Sequence, residues 1–183
     1  MSDGDWYYAE PSNASGIVKT GWLKDGSQYY YLDPAVDGKM LLGHFSVNGK
    51  SYYAKGSGAV ACREWVDVQD SVQDGPSKAF AGSDCSLCGT LRNGKLFTSN
   101  GDGELVEARA FVTLGGCIFY ADPTNGSLSV GWQNVNGKWY FFDETAGYAR
   151  SGWLSKDGSW FYLDPSTYVM KTGWLPLTDI GIT

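Results

Sequence analysis

Histidine, helical periodicity, basic patches and long apolar runs are what this 183-residue sequence lacks. The one histidine, His44, leaves a histidine-based catalytic triad a single candidate base. No apolar run is long enough to span a membrane, so no membrane insertion is expected. Leu, Glu and Ala at helical spacing are scarce, and only Glu64 to Gln73 reads as a short helix. Basic residues number 14 against 20 acidic, for a formal net charge of -6, and no cluster of them is interleaved with aromatics. That argues against nucleic acid as a partner, because such affinity rests largely on phosphate neutralisation. There is no phosphate loop and no nucleophile elbow. Nothing calls for a metal or a cofactor, and no enzyme activity is expected.

What is present is a register. Gly131-Trp132, Gly152-Trp153 and Gly173-Trp174 are 21 residues apart. Between them run a polar turn with Gly, an aromatic triad and an Asp-containing loop. The triads are Trp139-Tyr140-Phe141 and Trp160-Phe161-Tyr162. Gly21-Trp22, Gly43-His44, Glu64-Trp65 and Ala110-Phe111 continue the slot backwards, the last three in weakened form. Of the eight tryptophans, five (22, 65, 132, 153, 174) fill the Gly-Trp slot and three (6, 139, 160) head a triad. A fixed period of this length marks an array whose units bury apolar faces on their neighbours.

Asp25-Gly26, Asn48-Gly49, Asn93-Gly94, Asn136-Gly137 and Asp157-Gly158 precede the triads, as tight hairpin turns should. The first and third side chains of a triad then share a face and the middle one points away. The expected fold is all-β: a β-solenoid of stacked two-stranded hairpins with repeats of about 21 residues. Three segments follow from the period. Residues 1-65 hold N-terminal repeats, 66-92 a degenerate repeat or insertion, and 93-183 the C-terminal repeats. Within 66-92, Asp74-Gly75 with Lys78-Ala79-Phe80 reads as a worn hairpin and Gly89-Thr90 as a worn Gly-Trp slot. A distinct subdomain is the alternative. Leu175 to Thr183 are expected to cap the last unit.

Cys62, Cys85, Cys88 and Cys117 fall in or beside the worn middle. Cys85 and Cys88 form a CxxC, a weak signal alone. One or two disulfides, free buried thiols and zinc all remain open, and at least one bridge is expected under oxidising conditions. Asp33, Asp122, Asp143 and Asp164 recur after the triads. Recurrence points to turn hydrogen bonds, not to a carboxylate pair for glycoside hydrolysis. His44 fills a tryptophan slot and reads as a packing substitute.

Gly-Trp, Asp-Gly, an aromatic triad, Leu-Asp and Met-Lys-Thr-Gly-Trp together resemble the choline-binding, or cell-wall-binding, repeat of Gram-positive surface proteins. The passages Thr20 to Met40 and Ser151 to Trp174 are the nearest to it. Similar repeats occur in glucan-binding regions of glucansucrases and in receptor-binding repeats of large clostridial toxins. The resemblance implies ligand cages between consecutive hairpins. One uses Trp132 and Trp139 with Phe161 or Tyr162. A second uses Trp153 and Trp160 and needs a hairpin beyond Trp174. A third uses Trp22 and Tyr29, closed by Tyr52 or Tyr53, with Met40 nearby. His44, Ser51, Leu96, Phe111 and Ile118 depart from the pattern, so residues 66-130 are expected to hold no standard choline site and to serve as spacer or bind something else.

The implied function is non-catalytic binding to a cell-wall polymer, a choline-bearing teichoic acid, with glycan binding or a purely structural spacer as alternatives. The implied setting is extracellular, at the cell surface. No secretory signal opens the sequence, and Trp6-Tyr7-Tyr8 is a triad without its Gly-Trp, so the start reads as a cut through an array with any export signal upstream.

Overall fold

The computed structural model describes residues 4–10, 18–68, 77–99 and 104–175. It is antiparallel β throughout, with one 3-10 turn at Pro34–Val36. β1 (Gly21–Asp25) pairs with β2 (Gln28–Asp33), which also carries the short β3 (Lys39–Met40). β4 (Gly43–Val47) and β5 (Lys50–Ala54) form the next hairpin. Further hairpins are β11 (Ala110–Leu114) with β12 (Cys117–Ala121), β13 (Gly131–Val135) with β14 (Lys138–Phe142), and β15 (Gly152–Lys156) with β16 (Ser159–Leu163).

Turn chemistry sets the register. Asn48-Gly49, Asn93-Gly94, Asn136-Gly137 and Asp157-Gly158 all have both residues at positive φ, as a two-residue turn matched to strand twist requires. The first hairpin differs: Asp25 pairs with Gln28, so its turn is Gly26-Ser27 rather than Asp25-Gly26. In this register the Gly-Trp aromatic lies opposite the third aromatic of the triad: Trp22 faces Tyr31, Trp132 faces Phe141 and Trp153 faces Tyr162. Such directly opposed pairs are the unit of sheet stability.

The glycine of each Gly-Trp has open space on its side-chain position and is kept for its backbone conformation. Opposite Gly21, Gly131 and Gly152 stand Leu32, Phe142 and Leu163, which are all but fully buried. Each contributes roughly 1.5–3 kcal/mol of burial. These glycines have φ of 80°, 68° and 78°, and Ala110 is held at 60° in the same slot. A Cβ in that conformation is strained, which is the physical content of the worn repeat there.

Consecutive hairpins are tied by main-chain bonds. The N–H of Met170 donates to the Trp139 carbonyl at 2.8 Å, Ala149 to Ile118 at 2.7 Å, Val60 to Tyr29 at 2.7 Å and Met40 to Trp6 at 2.8 Å. Each bond joins the loop after one hairpin to the triad head of the one before it. The result is a stack of separate hairpins with no closed sheet, a β-solenoid. The recurrent Asp loops work as turns. Oδ1 of Asp122, Asp143 and Asp164 accepts N–H groups two and three residues on.

The middle departs from this plan. β6 (Glu64–Val68), β7 (Ser77–Ala81), β8 (Leu87–Arg92), β9 (Lys95–Ser99) and β10 (Leu105–Glu107) form one five-stranded meander, which the period did not foresee. The helix expected at Glu64 to Gln73 is absent where described. Glu64–Val68 is a strand, because Trp65, Val66 and Val68 suit a pleated surface and Trp65 pairs with Phe80. Residues 69–73 and Asp74-Gly75 lie outside the described residues, as do Pro176 to Thr183 of the expected cap. Gly89-Thr90 lies inside β8. Phe80, Leu96 and Phe119 form the fully buried centre of the largest core, with Trp65 packed against it. Cys62 and Cys85 are joined in a disulfide, so Cys85 of the CxxC pairs outside its motif; Cys88 and Cys117 are free.

Candidate functional site

A cluster of aromatic rings, open to solvent on one side, joins the β13–β14 and β15–β16 hairpins. Trp132 and Trp139 project from one face of their hairpin, with ring centroids 6.4 Å apart and planes at 83°. Phe161, the middle residue of the next triad, meets Trp132 at 4.9 Å and 67°. Phe141 backs Trp132 at 5.2 Å and is buried. Trp139 remains 44% exposed, so a ligand can reach its face. Of the two candidates for a third wall, Phe161 takes the place and Tyr162 is instead buried against Trp153, at 5.1 Å. Strand alternation explains the choice: the middle triad residue points towards the preceding hairpin.

Met170 is a candidate neighbour of these rings that the repeat pattern did not single out. Its N–H is held on the Trp139 carbonyl at 2.8 Å and its side chain is half-buried, which puts its backbone beside the head of the preceding triad. The signal was present in Val-Met-Lys-Thr-Gly-Trp, one loop after the triad that it serves.

Comparison with known proteins bears on this arrangement. Residues 129–174, which contain the whole cluster, match the choline-binding repeat, and residues 20–35 match a putative cell wall binding repeat. Two stretches of the chain thus match repeats of the choline-binding, cell-wall-binding kind. Solved structures that resemble it include choline binding protein F of Streptococcus pneumoniae, at 26% identity over 93% of this chain and 50% of that one, with a TM-score of 0.38. CbpJ of Streptococcus pneumoniae gives 22% identity, 93% and 51% coverage and 0.38. The modular autolysin LytC of the same organism gives 20%, 93% and 46%, and 0.38. The chain thus spans about half the length of these proteins. No curated protein sequence matches it.

Other parts of the array repeat the geometry incompletely. Trp22 meets Tyr52 of the following hairpin at 4.9 Å, Tyr31 at 5.2 Å and Phe45 at 6.1 Å. Tyr52 therefore stands where Phe161 stands, while Tyr53 packs on His44 at 4.9 Å. Tyr29 carries the Lys24 ammonium 5.4 Å from its ring centre, a cation of the chain's own over the expected cage member. Met40 is placed apart from this pair. It lines a cavity of about 380 Å³ with Trp6, Tyr30 and Asp25, and neither Trp22 nor Tyr29 lines it. Trp6 is a second site residue that the pattern left out; its triad-head position was the available signal. Trp153 and Trp160 repeat the 6.4 Å, near-perpendicular pair of Trp132 and Trp139. They are 50% and 68% exposed, and among the described residues no ring of a later hairpin meets them.

Charge in the loops after the β13–β14 and β15–β16 hairpins is acidic but committed. Burial pushes the Asp143 carboxyl up, and the Ala146 and Thr145 N–H donors with the Arg150 guanidinium more than reverse it, so the net shift is down. The Thr167 N–H, the Lys171 side chain and the Ser166 N–H hold Asp164 at about 2. Both are anions at neutral pH, committed to their own loops and paired with Arg150 and Lys171. Among the described residues no three His, Cys, Asp or Glu side chains gather as metal ligands, and no helix is long and apolar enough to cross a membrane.

Proposed function

We propose that this chain is a wall-binding module that takes choline, or a similar quaternary ammonium group on a cell-surface polymer, between its hairpins. The leading site is Trp132, Trp139 and Phe161, with the Met170 N–H on the Trp139 carbonyl. The observation that carries the reading is the near-perpendicular Trp132–Trp139 pair with Phe161 across from it. A quaternary ammonium cannot donate a hydrogen bond. It is held by ring faces, at about 0.5–2 kcal/mol per favourable contact. Three walls give weak to moderate affinity, and repetition along the solenoid adds avidity on a polymer.

Trp22 with Tyr29 and Tyr52 is a weaker site of the same kind, because Lys24 competes for the Tyr29 face. Trp6, Tyr30 and Met40 form another, with Asp25 supplying negative charge. Trp153 and Trp160 are half of a further site that a following hairpin would complete. The acidic balance favours a cation over an anionic polymer backbone alone. The match of residues 129–174 to the choline-binding repeat supports the ligand class. The module would act outside the cell, at the wall surface.

Titration with choline, read by tryptophan emission and repeated with an oligoglucose, tests this. A saturable response to choline supports it. A response to the oligosaccharide alone transfers the same rings to sugar stacking, and silence to both leaves them as solenoid core.

A further inference from the structure

Two cavities adjoin where β11 and β12 meet the loops after β14 and β16, and neither contains a tryptophan. One, of about 270 Å³, is lined by Phe111, Ile118, Tyr140 and Ala149. The other, of about 310 Å³, is lined by Arg63, Arg150, Ser151 and Gly116. Ile118, Ala149 and Tyr168 line both, so the two form one groove.

The apolar half is a worn copy of the leading site. Phe111, Ile118, Tyr140 and Ala149 hold the places of Trp132, Trp139, Phe161 and Met170. The frame is kept: Phe111 meets Tyr140 at 5.1 Å and the Ala149 N–H donates to the Ile118 carbonyl at 2.7 Å. What is lost is bulk, Ile for Trp and Ala for Met. The shortened side chains leave the aromatic pair open towards the arginines.

The polar half has two guanidiniums. Arg150 donates one bond to Asp143 Oδ2 at 3.2 Å, which leaves further N–H groups of its five. Arg63 has no carboxylate partner among the described residues. Its backbone is fixed beside the Cys62–Cys85 bridge and by its N–H bond to Gly82. Burial raises the Cys117 thiol, and the charge of Arg63 opposes the rise, so that charge is felt at the wall of the cavity.

We propose that this groove binds a phosphate ester, with the oxyanion between Arg63 and Arg150 and the organic group on Phe111 and Tyr140. Guanidinium forks match phosphate oxygens in geometry and charge. Two ring faces are too few to hold a bare quaternary ammonium as the leading site does, so the anion supplies the missing attraction. Phosphocholine divides its charges in the required way. For that ester the inference rests on the proposed wall-binding function, but its oxyanion half stands on the arginines alone.

The methyl groups of Ile118 and Ala149 report this groove and no tryptophan cage. In the whole chain with labelled Ile and Ala methyls, phosphocholine at low ionic strength is expected to shift both resonances, with an apparent affinity about fivefold tighter than choline's. Arg63→Gln, which breaks no ion pair, should reduce phosphocholine to the level of choline, and Arg150→Gln should do the same. Inorganic phosphate should shift both resonances less than phosphocholine does, because it fills the arginine half alone. Equal titrations by choline and phosphocholine, or an unchanged phosphocholine affinity in folded Arg63→Gln, would overturn the proposal. Failure of the wall-binding reading shows separately, as tryptophan emission that ignores choline.

Discussion

Trp65 and Trp132 fill the same slot of the same repeat, one in the five-stranded sheet and one in the β13–β14 hairpin. Trp132 stands between hairpins, against Trp139 and Phe161. Trp65 is turned inwards. Its indole N–H donates to the Ala146 carbonyl at 2.8 Å, and its ring packs on Phe80 at 5.1 Å and on Phe119 at 6.1 Å. The difference comes from the partners. A two-stranded hairpin leaves one face for its neighbour's middle aromatic and for solvent. A five-stranded meander gives a tryptophan a buried core to pack against and a carbonyl for its indole N–H. Position in the repeat therefore places the side chain, and the number of strands around it decides whether it packs on a central core or at the boundary between hairpins.

The sharpest way to break the comparison is to truncate both tryptophan environments. Trp65→Ala removes a ring packed on the central core and orphans the Ala146 carbonyl, and should cost about 3–5 kcal/mol. Urea unfolding measures it; a loss below about 1 kcal/mol would mean that Trp65 is no more core than Trp132.

Removing the disulfide should have the next largest effect. The bridge joins residues 23 apart in sequence at the edge of the five-stranded sheet. Cys62→Ser with Cys85→Ser should lower stability by about 3 kcal/mol. Thiol titration of the denatured, unreduced wild type should find two thiols, Cys88 and Cys117, and four would remove the bridge from the account.

Ala110→Gly sharpens the contrast from the other side. It relieves the positive φ at the worn slot and restores the repeat's own residue. Thermal unfolding should show a gain of about 0.5–1 kcal/mol, the left-handed cost less the entropy that glycine adds to the unfolded chain.

The smallest expected effect is acidic. Asp164 sits at about 2 in the folded chain against an ordinary carboxylate value near 4. A depressed folded pKa contributes stability above the unfolded value and loses it as pH falls through the folded one. Tm should therefore hold steady from neutral pH to about 5 and decline from about 4 to 2. Asp164→Asn should lower Tm at neutral pH and shrink the acid decline; an identical decline would assign it to other carboxylates.

Much of the hairpin array was legible because its determinants are local. Asn-Gly and Asp-Gly at fixed offsets set the turns, and alternation set which aromatics share a face. The middle aromatic was harder to place. Alternation says that Tyr140 points away from Trp132, but only the stack shows that it points at Phe111, and that Phe161 accordingly points at Trp132. The five-stranded sheet was not legible. Its strands lack the aromatic triad, and pairing across Ser77 to Arg92 depends on Phe80 finding a core built from later residues. The Cys62–Cys85 pairing escaped for a similar reason: a CxxC draws attention to its own two residues, while the fold brings Cys62 to Cys85 across β6 and β7. Met40 and Met170 follow one rule that needs three dimensions, since each docks on a triad head from the loop after the following hairpin.

The central claim is that Trp139 is a cage wall and not part of the core. Calorimetric titration of choline into wild type and Trp139→Ala tests it most directly. About tenfold weaker binding at one class of site, with Tm nearly unchanged, is the predicted result, the loss of one desolvated contact. Equal choline binding by two folded proteins would contradict it.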